Sequence, residues 1–344
     1  MKTRKEFLRE PLTDTQLLMT ITISIFVAMY AVAMGALQGG FLHAQQVFDM
    51  LNDNASLIIV SCGLTIVMIT GGIDISVGGV TSLVVMACIL YLNHGGNVFV
   101  AALLALGIGL AFGLVHGFLI SYLEIQPFIV TLAGMFFARG MTTILSVNPQ
   151  KVEHEGFANL RSTQIEIPWL GYTAKNGNIV PARIELGVLV AVFCLIVVFL
   201  ILKFHRLGRG FYAIGGNQTS ALMLGINVKR TRFLAYVFSG LLSGVSGFVL
   251  MMHTGAANAT NAAGMEMNAI AASIIGGTLL TGGVGNVIGT FFGVLTLTTI
   301  KKIVVSSGLN QPWWQSITTG GMLCFFILLQ SVVLSRRNKK KKAT

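Results

Sequence analysis

Long apolar stretches, separated by short polar or glycine-rich segments, recur along almost the whole chain. Runs of about 17–25 apolar residues suit a crossing of the bilayer. They fall at 17–37, 55–70, 73–92, 98–121 and 127–147, then at 184–204, 233–252, 267–282, 284–304 and 314–335. The pattern predicts about ten transmembrane helices, because a helix satisfies its own backbone hydrogen bonds in lipid. Three of the runs, 55–70, 73–92 and 267–282, are short or broken by glycine. The expected class is an all-α polytopic membrane protein, with one transmembrane domain over 1–344. Two polar segments stand out from it: a basic, glycine-punctuated insert at 205–232, and a segment at 148–183 that carries Glu153, His154, Glu155, Pro168, Trp169 and Pro181. The latter either presents a surface to a partner or acts as a lid over the bundle.

Composition agrees with the pattern. The chain is 54% hydrophobic and 10% charged, against about 25% charged in soluble domains, and its mean hydropathy is +0.79. The 40 glycines fit close helix contacts and interrupted helices. The four cysteines, Cys62, Cys88, Cys194 and Cys324, lie singly in apolar stretches, so neither a disulfide framework nor a metal site is expected.

A net charge of +11 raises the question of nucleic acid, but much of the positive charge sits beside apolar spans. Lys2, Arg4, Lys5, Arg9, Arg206, Arg209, Lys229, Arg230, Arg232 and the run Arg336 to Lys342 all do so, which marks cytosolic faces and contact with anionic lipid. Membrane lipid is therefore an expected partner and nucleic acid is not. With a cytosolic N-terminus, ten crossings return the C-terminus to the cytosol, place 205–232 inside and 148–183 outside. Lys151, Arg161, Lys175 and Arg183 in the outer segment, and Lys301 with Lys302, run against the charge bias. The basic start and first apolar run look like a signal peptide, but the run exceeds the about 7–15 residues of a signal core and further spans follow.

The motifs of hydrolytic chemistry are missing. There is no GxxxxGK[ST] phosphate loop, no His/Glu metal pair and no Ser/His/Asp arrangement. Acidic residues well inside the predicted spans are nearly absent, against the buried relays of a proton-driven carrier. No catalytic, metal or cofactor residue is assigned.

The insert from Gly208 to Arg232 reads GRGFYAIGGNQTSALMLGINVKRTR. Asn217 is a good N-cap, Gln218 to Leu224 suit about two helical turns, and Gly225 fits the left-handed position that ends a helix. So short a helix is marginal alone. Ala221, Met223 and Leu224 offer an apolar contact surface, and Lys229, Arg230 and Arg232 look like headgroup anchors. From the residues alone, an amphipathic loop lying on its own bundle remains open.

Here a resemblance enters. Thr219, Ser220, Ala221 and, after three residues, Gly225 are similar to the EAAxxxG cytosolic loop of ABC importer permeases. GGIDISVGG at 71–79, QPFIVTLAGMFFARG at 126–140 and AIAASIIGGTLLTGGVGNVIGTFFG at 269–293 resemble their simple-sugar (ribose-type) branch. Within it AGMFFARG, AIGGNQTSA and GGTLLTGGVG look most like galactofuranose permease subunits. The resemblance spans about 50–330. It implies a type II importer fold in a bacterial inner membrane, working with an ATP-binding subunit, a second permease chain (a copy of this one or a different one) and an external sugar-binding protein. ATP and Mg would be bound by the ATPase, not by this chain. Asn217, Gln218, Thr219, Ser220, Ala221, Leu224 and Gly225 would form the coupling helix that meets it. Thr219 stands where the pattern usually opens on an acid, and Leu222 where a basic residue is frequent, so docking by shape and apolar contact is expected. Another small solute, such as a branched-chain amino acid, a nucleoside or a signalling furanone, and a secondary transporter without an ATPase remain as alternatives.

Asp74 has two readings: a helix-start carboxylate that accepts backbone N–H bonds, or part of a glycine-flanked break that lines a translocation path. Ser76 and Arg139 join it as candidate path residues. Arg139 lies well inside its span, where it either caps neighbouring carbonyls, snorkels outward or serves function, and it is not paired with Asp74. His116 reads as a packed or carbonyl-bonded histidine. Gly109, Gly113 and Gly117, like Gly285, Gly289 and Gly293, permit close helix approach within the chain or across a permease dimer. His253, Asn258, Asn261, Glu266 and Asn268 read as a solvated outer loop, and Trp313 with Trp314 as part of the interfacial aromatic belt.

Overall fold

The computed structural model describes residues 14–36, 43–173, 179–309 and 311–343; the basic residues Lys2, Arg4, Lys5 and Arg9, and Lys175, lie outside them. In chain order the helices are α1 (Asp14–Ala36), α2 (Ala44–Ile69), α3 (Val77–Asn93), α4 (Val98–Ser121), α5 (Pro127–Leu145), α6 (Glu155–Ser162) and α7 (Leu186–Phe204). They continue with α8 (Arg206–Gly216), α9 (Gln218–Met223), α10 (Val228–Thr254), α11 (Met265–Ile275), α12 (Val287–Ser306) and α13 (Pro312–Ala343). Short strands β1 (Gln150–Lys151) and β4 (Ala256–Ala257) pair with each other, and β2 (Gln164–Thr173) pairs antiparallel with β3 (Ile179–Glu185).

Among the described residues eight helices are long and apolar enough to cross a membrane, and two of the expected spans are shorter: α3 with 17 residues and α11 with 11. Their shortness comes from breaks. Residues 70–76 leave the helix before α3, and 276–286 separate α11 from α12, so the expected spans 73–92 and 267–282 each include non-helical chain. The span expected at 55–70 starts earlier, at Ala44. Gln45, Asn52 and their polar neighbours hid that start, yet they stay helical because they have partners: the Gln45 Oε1 accepts from the Arg183 N–H at 2.8 Å, and Asn52 bonds both the Arg183 carbonyl and the Glu185 N–H.

The core centres on α2, which is buried from Ala55 to Ile69 and packs against α10, α12, α7 and α11. Glycine sets the closest approach. Gly109 and Gly113 of α4 face Gly240, Gly244 and the Tyr236 carbonyl of α10, and Gly289 and Gly293 of α12 face Gly276 and the Ala272 carbonyl. Both glycine series thus pack within the chain. The described residues of 148–183 are not an open loop: α6 and the paired strands β2 and β3 cover one end of the bundle, and Arg161 donates to the Met252 and His253 carbonyls at the end of α10.

Candidate functional site

At the end of the bundle opposite the hairpin, α8 and α9 form a small outlying layer. The Asn217 side chain accepts from the Ser220 N–H at 2.9 Å and starts α9. Gly225, at φ +78°, closes it, with its N–H on the Leu222 carbonyl and the Ile226 N–H on that of Ala221. Only glycine takes that backbone conformation without strain. Ala221 is 1% exposed and packs with Ile214 and Val228 beneath the helix, so it is a base and not, as expected from the sequence, part of the contact surface. The outward face is Leu222, Met223 and Leu224, at 63, 82 and 79% exposure, with Gln218, Thr219 and Ser220 also exposed. Two of the expected headgroup anchors also have protein partners. Arg232 Nη2 donates to the Gln218 Oε1 at 2.7 Å, and Lys229 Nζ lies 3.1 Å from the Glu124 carboxylate. These four residues border a groove of about 920 Å³ between α9 and the α4–α5 turn.

The layer is joined to both helix breaks by contacts the sequence reading missed. A methyl on Gly215 of α8 would overlap the Ile69 carbonyl and the Gly283 N–H, and one on Gly283 would come 2.8 Å from Gly216. The Gly283 N–H donates to the Ile69 carbonyl at 2.9 Å, linking the two breaks directly. Gly71, Gly282 and Gly283 all have positive φ. Tyr212 of α8 donates its hydroxyl to the Gly285 carbonyl at 2.8 Å; burial pushes its pKa up to about 12, so it stays a donor. The signal available in the sequence was a repeat: TGGIDISVGG from Thr70 and TGGVGNVIGT from Thr281.

Behind the first break, Asp74 is 2% exposed. Its Oδ1 accepts from the Ser76 N–H at 3.0 Å and the Ser76 hydroxyl at 2.6 Å, and its Oδ2 accepts from the Ser239 hydroxyl of α10 at 2.7 Å. Asp74 and Ser76 are thus brought together, and His116 Nδ1 lies 3.3 Å from the Ser76 Oγ. Arg139 is elsewhere. Its Nη2 lies 3.6 Å from the Glu266 carboxylate and 3.5 Å from the Ala262 carbonyl. Glu266 is 7% exposed and sits over Gly78, which corrects its expected place in a solvated loop. An acid and a base separated this far in sequence give no local signal of pairing.

Residues 46–327 match the family described as branched-chain amino acid transport system / permease component. The chain is 37% identical over 299 residues to the inner membrane ABC transporter permease protein YjfF of Escherichia coli strain K12, covering 86% of each. It is 32% identical over 304 residues to the fructose import permease protein FruG of Bifidobacterium longum strain NCC 2705, 87% of each. With the ribose import permease protein RbsC of Escherichia coli strain K12 it shares 33% over 265 residues, 76% of this chain and 78% of that protein. No solved structure matches.

Proposed function

The chain belongs to the family of branched-chain amino acid transport system / permease components, and from that premise we propose that it is the translocation subunit of an ATP-driven importer of a simple sugar. It carries the path and the lever; ATP and Mg are held by a separate ATPase. A second permease chain completes the path, and an external binding protein delivers the sugar. In this reading both termini and the α8–α9 layer face the cytosol, and the hairpin end faces outward.

The observation that carries the proposal is the exposed Leu222, Met223 and Leu224 face on a helix capped at both ends. It lies between the ends of two membrane-length helices, α7 and α10, and is left uncovered by the described residues; exposed apolar side chains of that kind suit a protein or membrane contact, and the capped helix favours a protein. The glycine joint beneath it supports the lever: as the ATPase pair closes, the docked α9 helices are drawn together, and α8 carries the displacement to 70–76 and 276–286. Sugar is favoured as cargo because relatives spanning most of the chain are named for ribose and fructose import. The family description favours a branched-chain amino acid. Uptake of labelled ribose, fructose and leucine into proteoliposomes decides: the complex purified with its ATPase and binding protein takes up a sugar only with ATP inside the cytosolic compartment. Leucine uptake would replace the cargo, and uptake by this chain alone on an ion gradient would overturn the proposal.

A further inference from the structure

The polar cluster at the first break ends on a histidine with one ring nitrogen unoccupied. Ser76 gives its hydroxyl hydrogen to Asp74, which leaves its oxygen to accept, so His116 Nδ1 is the donor at 3.3 Å. The proton on Nδ1 makes Nε2 a bare acceptor. Nε2 lies over Gly134 of α5, where a methyl would overlap it, and the hydrogen bond that His116 makes among the described residues is through Nδ1. His116, 4% exposed, lines a groove between α4 and α5 with Phe112, Val115, Ala133, Gly134 and Phe137. The groove holds about 630 Å³, within the roughly 300–1,000 Å³ of small-molecule sites. Phe112 stands edge-on to the imidazole at 5.7 Å and 6.1 Å from Phe137.

Lipid chains offer no donor, and an acceptor left without one is destabilising in an apolar setting. Water or a hydroxylated solute supplies it. The acceptor is also one hydrogen-bond chain away from a helix break, and non-helical backbone at membrane depth occurs where it is buried in protein or lines a cavity. We propose that the α4–α5 groove is one wall of the translocation path, where His116 Nε2 accepts a hydrogen bond from a hydroxyl of the passing sugar while Phe112 and Phe137 meet its C–H face. This rests on the reading of the chain as a sugar translocation subunit. A single acceptor in an otherwise apolar wall orients a polyol without holding it, which suits transit.

Thiol access tests it. The assembled transporter carrying Ala133→Cys or Phe137→Cys, with the exposed Cys324 replaced by serine, is treated in membranes during ATP turnover. The probes are a charged methanethiosulfonate and, separately, a lipophilic maleimide. The charged reagent is expected to modify both variants, and the transported sugar, ribose or fructose, to slow that modification several-fold. His116→Phe should abolish the protection, and His116→Gln, which keeps an acceptor, should retain part of it. Modification by the lipophilic reagent alone makes the groove lipid-facing, and modification by neither makes it a dry contact between permease chains; each overturns the proposal, as does protection undiminished in His116→Phe. Thiol access is read independently of uptake, so a complex that fails to import sugar counts against the functional reading and not against the groove.

Discussion

Asp74 holds three hydrogen-bond donors in a setting almost closed to water. Truncation strands the Ser76 N–H and hydroxyl and the Ser239 hydroxyl, and a buried donor left unmade costs about 1–3 kcal/mol. Asp74→Ala is therefore expected to lower the thermal midpoint of the purified chain clearly. Asp74→Asn, which keeps an acceptor on the Ser76 side, should lower it less. Equal midpoints for the two variants would contradict the bonding described. The glycines flanking Asp74 and its place before an apolar run made this residue visible in the sequence. Glu266 was not, because the stretch before it, 254–264, is rich in small and amide residues that read as loop, and its partner Arg139 comes from another helix.

At the scale of the element, α9 is held by its two ends. Proline at Gly225 can neither reach φ +78° nor donate to the Leu222 carbonyl, so Gly225→Pro should abolish ATP-dependent uptake while membrane insertion persists. Asn217→Ala loses a cap worth about 1 kcal/mol and should weaken ATPase association roughly fivefold; unchanged association in a binding assay would remove the cap from the account. Cap residues and glycine wrote this helix legibly into the sequence. Which side faces out was not legible, since α9 has only six residues and no repeating apolar position, so Ala221 was placed on the wrong face. The β2–β3 hairpin was hidden for a different reason. Pro168 and Pro181 interrupt both of its strands, and proline argues against a strand because it cannot donate to the ladder.

Over the whole molecule, the ten apolar runs outline the bundle, and α8 meets both breaks at one joint, which is the lever of the proposed function. Composition shows many glycines but not which of them meet; the contacts of Gly215 and Gly283 arise only from the tertiary fold. Tyr212→Phe removes one bond of that joint and no bulk. It should lower the sugar moved per ATP hydrolysed while leaving ATPase association intact; an unchanged ratio would show that the joint transmits nothing. The central claim is that α9 is where an ATPase grips this chain. It is tested most directly by purifying the chain from native membranes and quantifying the ATPase that comes with it, for the natural protein and for Leu222→Asp combined with Met223→Asp. Stoichiometric ATPase with the natural chain and its loss from the doubly substituted one is the predicted result. Equal recovery from both, with the chains equally inserted, would contradict it.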